Sequence, residues 1–234
     1  MSGCILLIEF VNLGIQSFST KEPEILEWIE EFGGGVFFDI GANIGIYSLF
    51  YAKATYGTVY SFEPSVFNLR QLAKNISVNK FSKRITIVSN PLSDRTGIAT
   101  FINGTTEEGG ALNAFGVDYG FDGEPIKDDI TYSVLGFSLD DLFEKNLLPE
   151  APSLIKIDVD GIEHLILKGA SKTLKSKQLK SVFIEVNDDF KQQAHQVTAI
   201  LESAGFELKE KRQSETTEKS ATFGRTHNQI WIRA

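Results

Sequence analysis

Three apolar runs in this chain stop at an acid: VFF at Asp39, TVYSF at Glu63 and LIKI at Asp158. A fourth, SVFIEV, carries Glu185 near its end, with Asn187 just beyond. A carboxylate at the tip of a buried strand needs a partner, because burying a bare charge is costly. It can accept hydrogen bonds from a ligand, hold a cation, or take a proton from a reacting group.

The first of these acids opens the stretch DIGANIG, residues 39–45. Gly41 lets the backbone turn and approach a ligand with no Cβ in the way, and Gly45 lets the following helix come close to the strand or the ligand. The N-terminus of that helix presents free N–H groups, suited to a carboxylate or a phosphate. Glu63 ends the next strand, the position from which an acid accepts hydrogen bonds from ribose hydroxyls. A dinucleotide favours G-x-G-x-x-G, since its pyrophosphate sits against the turn. Here the pattern is D-x-G-x-x-x-G, and Asp39 would repel a pyrophosphate but welcome a cation. A ligand that combines a ribose, an amino-acid ammonium and a positive sulfur is S-adenosylmethionine. The plainer alternative is a glycine turn that packs a strand on a helix and binds nothing.

The second constellation is LIKIDVDG and VFIEVN. If their strands are neighbours, Asp158, Asp160 and Glu185 converge near the cofactor's sulfur. One reading makes Asp158 or Asp160 a general base that takes the proton of an acceptor hydroxyl. A second has Asp158, Glu185 and Asn187 bind a hard cation such as Mg²⁺ through oxygen ligands. A third leaves the acids structural, capping the helix that begins near Gly161; this suits Asp160 better than Asp158, which would carry its charge on a buried strand. Lys156, two residues back on the same strand face, could pair with Asp158. His164, in the first turns of the next helix, is expected either to be an exposed or capping helix residue or to face the site's mouth and act as a base near neutral pH. Three scattered histidines and one cysteine give no zinc signature.

The elements that must position these residues follow from periodicity. EPEILEWIEEF, residues 22–32, puts Ile25, Leu26, Trp28, Ile29 and Phe32 on one helical face. From Val36 short strands, apolar on both faces, alternate with helices, as in a parallel sheet covered on both sides. FELKEK and NQIWIR, joined by a long polar segment, predict an antiparallel hairpin at the sheet edge. Before residue 22, CILLIEF and IQSFST read as a short hairpin. Residues 103–137 interrupt the alternation with many glycines and no period of their own, and read as a functional loop over the acceptor. The 234 residues fit one α/β domain over 36–234, with residues 1–35 an N-terminal extension.

DIGANIG, SFEPS, NPLSD, LIKIDVDGIEHLILKGA and VFIEVN, in this order and spacing, resemble the FkbM-type S-adenosylmethionine-dependent methyltransferases. The resemblance runs from about Val36 to Ala234. It implies a Rossmann-like class I methyltransferase fold: a seven-stranded, mostly parallel sheet with a terminal antiparallel hairpin and helices on both faces. By the same resemblance Asp39, Gly41, Asn43 and Gly45 line the methionine part of the cofactor, Glu63 the ribose, and Asn90, Ser93 and Asp94 the adenine. Family members often O-methylate hydroxyls of sugars or polyketides. Two departures stand out. Asp160 is where the family usually has Glu, and Pro91 is where it often has Ala.

The expected partner is therefore a small hydroxyl-bearing molecule. The alternatives are a nicotinamide-dependent oxidoreductase, against which the glycine spacing speaks, and a cofactor-binding protein without catalysis. A net charge of −8 argues against a broad nucleic-acid footprint. The apolar run at residues 4–8 is too short for a signal-peptide core or a membrane span, and the lone Cys4 suits a reducing compartment; the default location is the cytoplasm.

Overall fold

The computed structural model describes residues 22–126, 130–213 and 225–234. Helix α1 (Pro23–Phe32) starts with a proline in its first turn and buries Ile25, Trp28 and Ile29. Strand β1 (Val36–Ile40) is buried throughout and leads through the DIGANIG turn into α2 (Ile46–Ala54). Then follow β2 (Thr58–Phe62), α3 (Val66–Val78) and β3 (Ile85–Val88). Three antiparallel strands come next: β4 (Gly97–Asn103), β5 (Ala114–Phe115) and β6 (Ile130–Gly136). Helix α4 (Leu139–Glu144) is capped by the Ser138 hydroxyl, which accepts from Asp141 N at 3.2 Å. The chain continues with β7 (Leu154–Ile157), α5 (Glu163–Gly169), β8 (Ser181–Asn187), α6 (Lys191–Ser203), β9 (Phe206–Arg212) and β10 (Thr226–Arg233).

The main sheet has seven strands in the order β3-β2-β1-β7-β8-β10-β9. β10 runs antiparallel to both its neighbours, and the other pairings are parallel. The chain builds outward from β1 to β3, then crosses back to lay β7 on the other side of β1. The strand order therefore reverses at the β1/β7 boundary, where ligands bind in open α/β sheets.

Successive residues of β1 feed opposite faces. Phe37 joins a core with α1, α2 and α3, while Phe38 and Ile40 join one with α4, α5, α6 and the small sheet. This is why the strands read as continuous apolar runs. Helix α1 is tied into the first core: Trp28 Nε1 donates to Ser181 Oγ at 2.8 Å, and its ring lies 5.9 Å from Phe37 and 5.4 Å from Phe183.

Two expectations are corrected. Residues 103–137 are not one irregular loop, because β6 pairs with β4 along its whole length, from Gly97↔Gly136 to Asn103↔Ile130. The helix after DVDG, which the apolar pattern predicts from about Gly161 to Leu174, closes at Gly169 before a separate 3-10 turn at Thr173–Lys175. The hairpin expected before residue 22 lies outside the described residues. Among the described residues no helix is long and apolar enough to cross a membrane.

Candidate active site

Gly41 and Gly45 earn their places differently. Gly41 has φ +78°, and a Cβ there would lie 1.8 Å from the Asp158 carbonyl oxygen, so only glycine lets the tips of β1 and β7 meet. Gly45, at φ +88°, would drive a Cβ to 2.4 Å from Leu72 Cδ1. It serves the packing of α3 against the turn and does not face a ligand space.

Beside the Gly41 turn opens a cleft enclosing about 570 Å³, its mouth included. Of the residues expected from sequence, Gly41, Asn43, Glu63, Asn90, Asp158 and Asp160 line it. Its apolar wall comes from Phe62, Leu92, Phe101, Phe115, Ile162 and Ile166, so the small antiparallel sheet does border the site through Phe101 and Phe115.

Glu63 is 4% exposed. One carboxylate oxygen accepts the backbone N–H of Asn43 at 2.7 Å, the other that of Ser65 at 2.9 Å. The oxygen that takes Ser65 N also accepts the Asn68 amide at 3.5 Å, so the oxygen facing Asn43 keeps a lone pair for a further donor. Burial pushes the Glu63 carboxyl up to about 7, against the pull of these N–H groups and of the Asn68 amide.

Asp39 is fully buried under the turn. Its Oδ2 accepts the Ser48 hydroxyl at 2.6 Å, while its Oδ1 has no hydrogen-bond donor among the described residues and faces Lys156 Nζ at 3.5 Å. The same Nζ reaches Asp158 Oδ2 at 3.2 Å and donates to the Gly41 carbonyl at 3.2 Å. The partner suggested for Asp158 is thus shared with Asp39. Burial works against the charged Lys156, but Asp158 and Asp39 outweigh it and hold the ammonium protonated. Asp158 is partly exposed and turns a carboxylate to the cleft.

Asp160 does not cap the following helix. It sits at φ +65°, and its Oδ2 accepts the backbone N–H of Leu112 at 2.7 Å and of Asn113 at 3.3 Å. Burial and the neighbouring Asp158 push its carboxyl up to about 6. Glu163 ties the turn instead, accepting Val159 N at 3.2 Å, Gly161 N at 3.1 Å and the Gln193 amide. Burial pushes Glu163 up to about 7.

Several expected residues lie off the cleft. His164 is buried, with its ring edge-on to Phe190 at 6.3 Å, and burial lowers it to about 4; it does not reach the mouth because the short helix turns it toward α6. Ser93 and Asp94 are drawn aside where Ser93 N bonds the Phe137 carbonyl at 2.9 Å, leaving Asn90, Pro91 and Leu92 on the wall. Asn187 spends its side chain on the Phe121 carbonyl and the Asp189 N–H. Glu185 is pushed well up by burial and then by Asp158. The Asn187 side chain is thus already engaged, and among the described residues no group of three or more His, Cys, Asp or Glu is placed to hold a metal.

Sequence reasoning missed Asn68. It accepts Gly109 N at 2.9 Å and donates to the Gly110 carbonyl at 3.0 Å, while Asn43 Nδ2 bonds the Gly110 carbonyl at 3.1 Å. With Asp160 these side chains strap residues 109–113 across the cleft. Glu163 was also missed, although Asp-Gly-Ile-Glu has the spacing of a capping box.

The strand order, the antiparallel β10 and the cleft at the switch point define a Rossmann-like class I methyltransferase fold. The chain belongs to the FkbM methyltransferase family: the family model for the methyltransferase FkbM domain matches residues 39–208. It is 28% identical over 196 residues to 31-O-demethyl-FK506 methyltransferase FkbM of Streptomyces tacrolimicus, covering 74% of this chain and 73% of that protein. Among solved structures it is similar to a methyltransferase FkbM from Methylobacillus flagellatus, with a TM-score of 0.53, 16% identity and 88% of this chain covered; the chain spans 50% of that protein's length. The fibrillarin pre-rRNA processing protein of Methanococcus jannaschii gives 0.54 at 12% identity over 99% of this chain and 84% of its own, a likeness of fold alone.

Proposed function

We infer that this chain transfers the methyl group of S-adenosylmethionine to a hydroxyl of a saccharide, a polyketide or a similar small molecule. The observation that carries the reading is Glu63: a buried carboxylate at the β2 tip, oriented by two backbone N–H groups, with acceptor capacity left on the cleft side. That is what a ribose hydroxyl requires.

The residues present fit the cofactor. The turn at Gly41 is a cradle that any Cβ would fill. Asp158, which lines the cleft, is the carboxylate in direct reach of a ligand ammonium; Asp39 acts from behind Gly41. The apolar wall of Leu92, Phe101, Phe115 and Ile162 suits a flat base or an apolar acceptor face. When bound, the cofactor supplies an electrophilic methyl on a positive sulfur. The chain's part is to orient it, to exclude water behind the strapped 109–113 segment, and to take the acceptor's proton at Asp158. The name of the Streptomyces relative, 31-O-demethyl-FK506 methyltransferase, supports oxygen as the receiving atom.

Calorimetry tests the reading. The purified protein is expected to bind S-adenosylmethionine and S-adenosylhomocysteine, and Glu63→Ala to weaken both by roughly tenfold or more, as expected for lost charge-assisted hydrogen bonds. Absence of binding to the unmodified protein would overturn it.

A further inference from the structure

Lys156 is among the largest fully buried side chains of the protein, and its ammonium sits behind the cleft wall, against the Gly41 carbonyl and between Asp39 and Asp158. In the sheet it pairs with Asp39 across β1 and β7, and its Nζ stands 5.5 Å over the Tyr47 ring. A buried ion pair is weak ground for stability, since apolar residues of similar volume often do as well or better. Stability alone therefore does not explain why a lysine stands here. Its neighbours do: Gly41 and Asp158 both line the cleft.

Resting on the cofactor reading above, we propose that Lys156 is a positioning residue that sets the charge of the site, and with it the preference for the sulfonium substrate over the thioether product. Asp39 and Asp158 carry two negative charges and Lys156 one positive, which leaves the triad at −1. In the transfer the carbon–sulfur bond breaks with its electron pair kept by sulfur. The carbon–oxygen bond forms and the hydroxyl proton goes to a base. The sulfur thus loses its positive charge on the way to the transition state. A site at −2 would hold the substrate's charge harder than the transition state's, binding tightly without speeding the step. Lys156 offsets one of the two carboxylates and lowers that cost, while Asp158 remains an acceptor.

The test compares the dissociation constants of S-adenosylmethionine and S-adenosylhomocysteine, by calorimetry on the full chain, at three site charges. The unmodified protein stands at −1, Asp39→Asn at 0 and Lys156→Met at −2, the last at a pH high enough to keep the buried Asp39 ionised without its cation. The double variant Asp39→Asn/Lys156→Met returns to −1. For a unit charge about 6–12 Å from the sulfur at an effective dielectric constant of about 20, the preference for the sulfonium is expected to rise roughly ten- to a hundredfold in Lys156→Met and to fall by a similar factor in Asp39→Asn. The double variant is expected to restore the original ratio. A structural role for Lys156 would change both affinities by one factor and leave the ratio fixed in every variant; that outcome overturns the proposal while sparing the cofactor reading. If Lys156→Met does not fold, Asp39→Asn decides alone, and an unchanged ratio there overturns the proposal. Failure of the unmodified protein to bind either ligand overturns the cofactor reading, and this proposal with it.

Discussion

At the scale of single residues, the four acids of the site are held by three different sets of partners. Glu63 is oriented by backbone N–H groups, Asp39 and Asp158 share a lysine, and Asp160 binds the backbone of a distant segment. Asp160, one of the two candidate bases, has its Oδ2 engaged by Leu112 and Asn113. It works as a latch, and its φ of +65° aims the carboxylate at the strap. Asp160→Gly removes the carboxylate and keeps a backbone that tolerates positive φ. Losing charge-assisted hydrogen bonds worth about 1.5–3 kcal/mol should speed amide exchange at Leu112 and Asn113 by roughly tenfold or more, read by NMR or mass spectrometry. Asp160→Asn keeps both an acceptor and the left-handed preference, so it should lie between the two. Exchange unchanged in Asp160→Gly would remove the latch.

At the scale of elements, the seven-stranded sheet was legible because its strands are buried on both faces and its helices carry clear apolar stripes. The glycine turn and the acids at the strand tips were legible for a related reason: local spacing alone places them at the switch point. What was not legible is long-range. Asn43, Asn68 and Asp160 bind a segment more than forty residues away in sequence, and no local pattern marks such pairs. Strand β6 does alternate, with Tyr132 and Val134 packed against the core and Ser133 and Leu135 exposed, but the glycines before it hid the pattern. His164 was misjudged because a seven-residue helix leaves its facing to the packing. The apolar face of α1, by contrast, was read correctly, and it bears weight. Trp28→Ala should destabilise the protein by about 3–5 kcal/mol in urea unfolding. Trp28→Phe keeps most of the ring and loses the bond to Ser181, costing about 1 kcal/mol. Equal losses in the two variants would mean that the hydrogen bond, not the buried ring, docks the helix.

At the scale of the whole molecule, the acids buried around one cleft give stability a pH dependence of predictable sign. Glu63 and Glu163 are raised from an ordinary 4.5 to about 7, and Asp160 from 3.8 to about 6. Between those values the folded protein holds protons that the unfolded chain has released. Their contribution is complete below the unfolded values and is lost as pH rises through about 6 to 7. A net charge of −8 at pH 7 adds repulsion in the same direction. His164 opposes this. Its folded value is lowered from 6.5 to about 4, so its contribution is present above 6.5 and is lost as pH falls toward 4. The ligand-free protein should therefore melt highest at about pH 5–6 and a few degrees lower at about pH 8. Glu163→Gln isolates one source. Gln193 Oε1 lacks a donor among the described residues, so the new amide could donate to it while its own oxygen keeps the Val159 and Gly161 N–H groups. With no carboxylate left to ionise there, the variant should gain stability over the unmodified protein at pH 8 and lose that advantage at pH 5.5, by calorimetric melting at both values. A melting temperature that climbs steadily from pH 5.5 to 8 would contradict the account of these acids, and a Glu163→Gln penalty of the same size at both values would show that Glu163 is ionised throughout.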